Sequence, residues 1–222
     1  MAAVIRAGIA SVGLLAFLAA CLFVPAGRIA WPAGWWFLAA FTAFTAAAYI
    51  VLDPELVSER VSPGGESDRG DALLASLGFL GLYPGTLIVA GLDAGRGGAF
   101  FTVPVQAIAL SVFVLGYGFA LWAMRVNRFF STFVRIQAER GHIVVDTGPY
   151  AWVRHPGYAG ALVAHLAIPF ALGSPWALLP ALAGAALFTL RTGREDRVLA
   201  ERLEGYREYR QRVRWRLLPG VW

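Results

Sequence analysis

The chain has 222 residues, of which 58% are hydrophobic and 15% charged, and its mean hydropathy is +0.61. These values exclude a disordered chain, a collagen-like repeat, a secreted disulfide scaffold and an ordinary soluble enzyme. The 19 basic residues are all arginine and stand against 14 acidic ones, for a net charge of +5. Their placement between apolar runs argues for a membrane rather than for nucleic acid.

Five stretches carry no charge: 7–27, 29–52, 72–92, 97–124 and 157–190. About 20 apolar residues cross a bilayer core, so the first four predict single spans. The fifth would make a helix of roughly 51 Å at the usual rise per residue, too long for one crossing. Gly173, Ser174 and Pro175 break it near the middle, which predicts a hairpin over 157–190. The predicted fold is all-α: a polytopic membrane protein of four single spans, a carboxy-terminal helical hairpin and an amphipathic cytosolic tail helix. Every arginine except Arg28 and Arg96 falls in the amino terminus, 53–71, 125–156 or the tail. The positive-inside rule then puts both termini in the cytoplasm, in what we expect to be a bacterial inner membrane.

In chain order, Cys21 lies inside the first run and reads as a small buried apolar residue. Leu18-Ala19-Ala20-Cys21 also has the look of a lipoprotein cleavage box, but the apolar run continues through Val24. The segment 53–71, with Pro54, Pro63, Gly64, Gly65 and Gly70, predicts a solvated loop with a short helix near Glu55 to Arg60 and acids that face water. Gly81 to Gly85 has the spacing for close helix packing, with Pro84 inside it as the source of a kink. In the tail, Leu199, Leu203, Tyr206, Tyr209 and Val213 recur at helical steps. That pattern predicts an amphipathic helix on the membrane surface, with Trp215 and Trp222 at the boundary, Gly205 as a bend and Pro219 as its end.

No phosphate-binding glycine loop, paired cysteines or histidines at metal-ligand spacing occur, so no metal is predicted. His142, His155 and His165 are far apart, and His165 in the hairpin reads as a packed, hydrogen-bonded side chain. The chemistry concentrates in Asn127-Arg128-Phe129-Phe130-Ser131, Gln137, Gly141-His142-Ile143-Val144-Val145, Gly148-Pro149-Tyr150 and Arg154-His155-Pro156-Gly157-Tyr158. Prolines and glycines rule out one continuous helix here, leaving irregular backbone at a membrane entrance. Arg191 and Glu195 stand one helical turn apart on one face, and the hairpin returns them towards His155 and Tyr158.

From Asn127 onward the chain resembles the membrane methyltransferases typified by isoprenylcysteine carboxyl methyltransferase, with phospholipid N-methyltransferases as relatives. The likeness rests on Gly148-Pro149-Tyr150, Arg154-His155-Pro156-Gly157-Tyr158, the acidic pair Glu195-Asp196 and Gly205-Tyr206-Arg207-Glu208-Tyr209 leading to Arg216-Leu217-Leu218-Pro219. Together with the four-span bundle read from the apolar runs over 1–126, the resemblance implies a cofactor-binding catalytic region over 127–222, in a single membrane domain. It implies S-adenosylmethionine as cofactor, in a pocket of Gln137, His142, Ile143, Val144, Val145, Tyr150, His155, Pro156, Gly157, Tyr158 and Glu195. It gives Arg191 as the substrate-contacting arginine and, with Glu195 and His155, as a catalytic residue. Two departures are Asp196, where the family has a second glutamate, and the short interval from Gln137 to His142. A sulfonium with an attached amino group favours a carboxylate and aromatic faces, which Glu195, Tyr150 and Tyr158 offer, and Ile143 to Val145 suit an adenine.

The expected acceptor is lipophilic, an isoprenylcysteine-type carboxylate, reached from the bilayer; no nucleic acid or obligate protein partner is expected. Competing readings are a phospholipid or other small-acceptor N- or S-methyltransferase, an NADPH-dependent sterol-reductase-like enzyme served by the tail arginines, and a non-catalytic scaffold or transporter.

Overall fold

The computed structural model describes residues 2–61, 69–98, 100–131 and 135–222. Pro63, Gly64 and Gly65 of the expected 53–71 loop lie outside the described residues. The described elements are α1 (Ala2–Ala26), α2 (Pro32–Val51), α3 (Pro54–Val61), α4 (Arg69–Leu80), a π-helical turn (Gly81–Gly85), α5 (Thr86–Gly95), α6 (Val103–Val126), α7 (Pro156–Ala171), α8 (Leu178–Arg202) and α9 (Tyr206–Arg212). Short 3-10 turns at Ala138–Arg140 and Gly148–Ala151 complete them, and no strand occurs among the described residues.

Gly8–Ala26, Pro32–Val51, Gly70–Gly95 and Val103–Val126 are long and apolar enough to cross a membrane, and α7 is a shorter apolar helix. The all-α, polytopic membrane fold read from the sequence is the fold found, and the short helix expected in 53–71 is α3. The hairpin breaks where Gly173, Ser174 and Pro175 stand. Helix α7 stops at Ala171, the Ser174 N–H returns to the Pro169 carbonyl at 2.9 Å, and α8 starts at Leu178.

The loops sort to two ends. At one end, Phe100 N–H donates to Gly173 O at 3.1 Å, and the Ser174 hydroxyl donates to the buried Asp93 carboxylate. The turn bearing Arg28 belongs to the same end, because the end of α5 packs closely on Ala26. The opposite end carries α3, residues 127–131 and 135–155, and the tail.

Lipid is as apolar as leucine, so membrane helices associate through close packing rather than water exclusion. Gly116 and Ala120 of α6 face Gly160 and Ala164 of α7, one helical turn apart on each helix. A Cβ on Gly160 would lie 2.5 Å from the Gly116 carbonyl oxygen, and one on Gly116 would lie 2.7 Å from that of Gly160. The π-helical turn and α8 meet in the same way at Gly81 and Gly184. Phe37, Phe41, Phe113 and Tyr117 fill the middle of the bundle. His165 donates its Nδ1–H to the Ala161 carbonyl at 2.6 Å and lies 3.3 Å from the Tyr117 hydroxyl, the packed role read from the sequence.

The Gly81–Gly85 segment combines close packing and distortion. Pro84 lacks an N–H, the ladder widens to the π spacing, and both the backbone N–H and the hydroxyl of Thr86 return to Gly81 O.

The tail departs from expectation. Helix α8 runs past the apolar stretch to Arg202, the chain turns at Leu203–Gly205 with Gly205 at φ +78°, and α9 has only seven residues. Leu203, Tyr206, Tyr209 and Val213 do share one face, but that face packs on Ile136 and Val144 rather than on lipid. Trp222 likewise belongs to the cap: its carbonyl accepts N–H groups of Arg216 and Leu217, and its ring lies 4.7 Å from the Arg216 guanidinium.

Candidate active site

The site starts where α6 ends. Asn127 caps the exit by accepting the Phe129 N–H at 2.9 Å, and its amide donates to the Tyr150 hydroxyl at 3.2 Å. Gln137 is fully buried: its amide donates to Phe129 O at 2.6 Å and its carbonyl accepts from Arg140 at 2.5 Å. Arg140 continues to Glu55 at 3.0 Å, tying the loop to α3. Gln137 therefore braces the loop from within. Beside it, the Gln137 N–H meets His142 Nδ1 at 3.3 Å and the imidazole stacks on Phe129, centroids 4.4 Å apart. Burial first, then the Arg135 and Arg140 charges, push the His142 pKa down to about 4. The ring is neutral at pH 7, with its proton on Nε2 because Nδ1 accepts.

The next segment is fixed from behind by the tail: Arg154 N–H donates to Trp215 O and His155 N–H to Arg216 O, both at 2.9 Å. The organising charge is Asp196 of α8, whose side chain is 1% exposed. It accepts Arg154 Nε at 2.7 Å and Nη2 at 3.2 Å, Arg216 Nε at 2.9 Å and the Tyr206 hydroxyl at 3.0 Å. His155 Nε2 stands 3.4 Å from the same carboxylate. An ionised carboxylate only accepts, so His155 presents Nε2–H to it, which orients the ring. Burial raises the tyrosine hydroxyls of Tyr206, Tyr209 and Tyr150 well above their ordinary range, keeping all three neutral donors. Tyr209 donates to Tyr150 O at 2.7 Å, pinning α9 to the Gly148–Ala151 turn.

These elements line an open cleft with about 740 Å³ of empty space, counting the part open to solvent. Of the residues anticipated for a cofactor pocket, His142, Ile143, Val144, Val145, Tyr150, His155, Gly157, Tyr158 and Glu195 line it. Gln137 and Pro156 do not, and neither does Arg191, the expected substrate contact. Gln137 spends its amide on the loop, Pro156 starts α7, and Arg191 lies one hydrogen bond further back. Phe129, Phe130, Leu199, Leu203, Tyr206 and Tyr209 also form walls. The sequence reading missed the last two as site residues because an amphipathic stripe reports that a face is buried, not what covers it. Asp71 also departs from expectation: it is not a loop acid facing water but is buried in an ion pair, as is Arg154.

Arg191 donates to both oxygens of Asp71, at 2.8 and 3.1 Å, and to the Tyr158 hydroxyl at 2.7 Å. Tyr158 in turn donates to Glu195 at 2.6 Å. The site thus joins α4, α7 and α8 through one chain of hydrogen bonds. Among the described residues, Glu195 has no cation at ion-pair distance.

Residues 107–201, from within α6 almost to the end of α8, match the model of the isoprenylcysteine carboxyl methyltransferase (ICMT) family. No curated protein matches the chain. Among solved structures, the eukaryotic intramembrane Ras methyltransferase ICMT is similar in fold, with a TM-score of 0.55 at 18% identity over 87% of this chain and 70% of that one. The matched segment contains Arg154, His155, Tyr158, Arg191, Glu195 and Asp196, and over that segment the chain is similar to the isoprenylcysteine carboxyl methyltransferase family.

Proposed function

We propose that the protein transfers a methyl group from S-adenosylmethionine to a lipophilic acceptor, most simply a carboxylate of the isoprenylcysteine type. The observation that carries this reading is convergence: Tyr150 of the 3-10 turn, His155, Gly157 and Tyr158 at the start of α7, and Glu195 of α8 meet on one cleft. The residues suit the cofactor. Glu195 offers a carboxylate without a cation partner among the described residues, beside the rings of Tyr150 and Tyr158, the surroundings a sulfonium favours. Ile143, Val144, Val145, Leu199 and Leu203 supply an apolar wall for the adenine. When bound, the cofactor supplies an electrophilic methyl group. The chain's own part is alignment and exclusion of water, since methyl transfer to a carboxylate needs no covalent enzyme intermediate and no general base. His155, oriented by Asp196, fits a positioning role better than a proton-transfer one. With Arg191 held by Asp71, the acidity of the acceptor rests on the family likeness rather than on a waiting guanidinium.

A nicotinamide cofactor with a 2′-phosphate calls for arginines that are available. Here Arg154 and Arg216 are engaged by Asp196, Arg135 by Glu139 and Arg212 by Asp146.

S-adenosylhomocysteine should therefore stabilise the detergent-solubilised protein. A hundredfold excess over the dissociation constant contributes about 2.7 kcal/mol, roughly 5–10 °C in Tm for a chain of this size. Glu195→Gln should remove most of that shift. A shift with NADPH and none with S-adenosylhomocysteine would favour a reductase instead.

The same reading places the cleft on the cytoplasmic side. In a Cys21→Ser background, an impermeant thiol reagent applied to intact cells should label a cysteine at position 28 or 96 and spare one at 140 or 194. The reverse pattern would invert the topology and part the cleft from cytosolic cofactor.

A further inference from the structure

Arg191 and Glu195 lie four residues apart on α8, a spacing at which opposite charges on a helix surface ordinarily pair. They do not pair here. Asp71, 120 positions away on α4, takes the guanidinium in two-pronged geometry, and the two side chains are 3% and 5% exposed. What remains between Arg191 and Glu195 is the Tyr158 hydroxyl, accepting from one at 2.7 Å and donating to the other at 2.6 Å. Its direction is fixed, because a guanidinium cannot accept and a carboxylate cannot donate. The ring of Tyr158 lies 5.6 Å and that of Phe188 5.9 Å from the guanidinium, helping to hold it on the side away from the cleft. Among the described residues, two carboxylates therefore flank the guanidinium, the first directly and the second through a hydroxyl, and of these Glu195 reaches the cleft wall.

We propose that Asp71 is a positioning residue of this site: it holds Arg191 off Glu195 and so leaves the Glu195 carboxylate to meet a cationic group of the ligand. The proposal rests on the methyl-donor reading for the identity of that cation, a sulfonium or its neighbouring ammonium. It makes the first residues of α4, outside the family match, part of the ligand's electrostatic environment. Without Asp71 the guanidinium swings to Glu195 and competes with the ligand.

The test uses Asp71→Asn, which keeps the shape and removes the charge, and Asp71→Asn/Arg191→Gln, which removes both charges, each with and without Glu195→Gln. Without ligand, Glu195→Gln should barely move Tm in the wild-type background. In Asp71→Asn it should cost several degrees, since the guanidinium then loses its second anion, and the cost should vanish again in Asp71→Asn/Arg191→Gln. Additive Tm changes would overturn the proposal. With S-adenosylhomocysteine, calorimetric affinity should fall about tenfold or more in Asp71→Asn and return to within about threefold of wild type in the double variant. A folded double variant that still binds about tenfold more weakly would make Asp71 a structural residue only and overturn the proposal. The double variant decides this even where Asp71→Asn fails to accumulate. If wild type itself does not bind S-adenosylhomocysteine, the methyl-donor reading falls, while the ligand-free cycle still decides the role of Asp71.

Discussion

In the apolar bundle, helices meet where side chains are missing: Gly116 faces Gly160, and Gly81 faces Gly184. In the polar cap, segments meet where charges are shared: Asp196 gathers Arg154, Arg216, Tyr206 and His155. The difference follows from the solvent. Within lipid a helix has satisfied its own backbone and gains only from close contact. At the cap, irregular backbone and buried donors must find partners within the protein, and a single carboxylate with several donors supplies them. The bundle should therefore respond to added volume and the cap to removed charge.

The largest expected effect is on the cap. Asp196→Asn leaves Arg154 without its anion in a buried setting, a loss of about 3–5 kcal/mol. Thermal unfolding should show it, together with early proteolysis between α8 and α9 and loss of S-adenosylhomocysteine binding. A smaller loss than any glycine change in the bundle would reverse the comparison. Next comes Gly160→Leu, which forces bulk against α6 and should cost about 1–3 kcal/mol. Its Tm should fall while the folded fraction keeps its affinity for S-adenosylhomocysteine. A lost affinity would show that bundle and cap are mechanically coupled rather than separately built.

The smallest effect sharpens the charge side. His142 ordinarily titrates near 6.5 and is held near 4 in the folded protein. Between those values the unfolded chain binds the proton and the folded one does not, so stability is fully present above about pH 6.5 and declines as pH falls towards 4. His142→Asn should flatten that decline in Tm. An unchanged pH profile would mean that the ring is solvated despite its stacking on Phe129.

The spans were legible because lipid imposes a length and forbids charge, constraints written along a single run of residues. The hairpin break at Gly173 to Pro175 was legible for the same local reason. The meeting of Tyr150, His155 to Tyr158 and Glu195 was legible once the hairpin returned the chain to its starting side. The Asp71–Arg191 pair was not. An arginine with a glutamate one turn away offers an obvious local partner, and the choice of a carboxylate 120 residues earlier depends on how α4 packs against α8. Gln137 illustrates the same limit: a polar residue near a pocket serves a ligand or the loop according to which way its amide turns, and here it turns to Phe129 O.

The π-helical turn at Gly81–Gly85 gives one span two addresses. An α-helix advances about 100° per residue, so the extra residue held in the wider turn rotates everything beyond it by about that angle. Gly78 before the turn and Gly81 at its first residue point at α8, whereas Gly91 and Gly95 beyond it point at α1. The turn acts as a clutch between the half of the span that contacts the site's helices and the half that anchors in the bundle, and losing a single residue there would disengage one half while leaving the other in register.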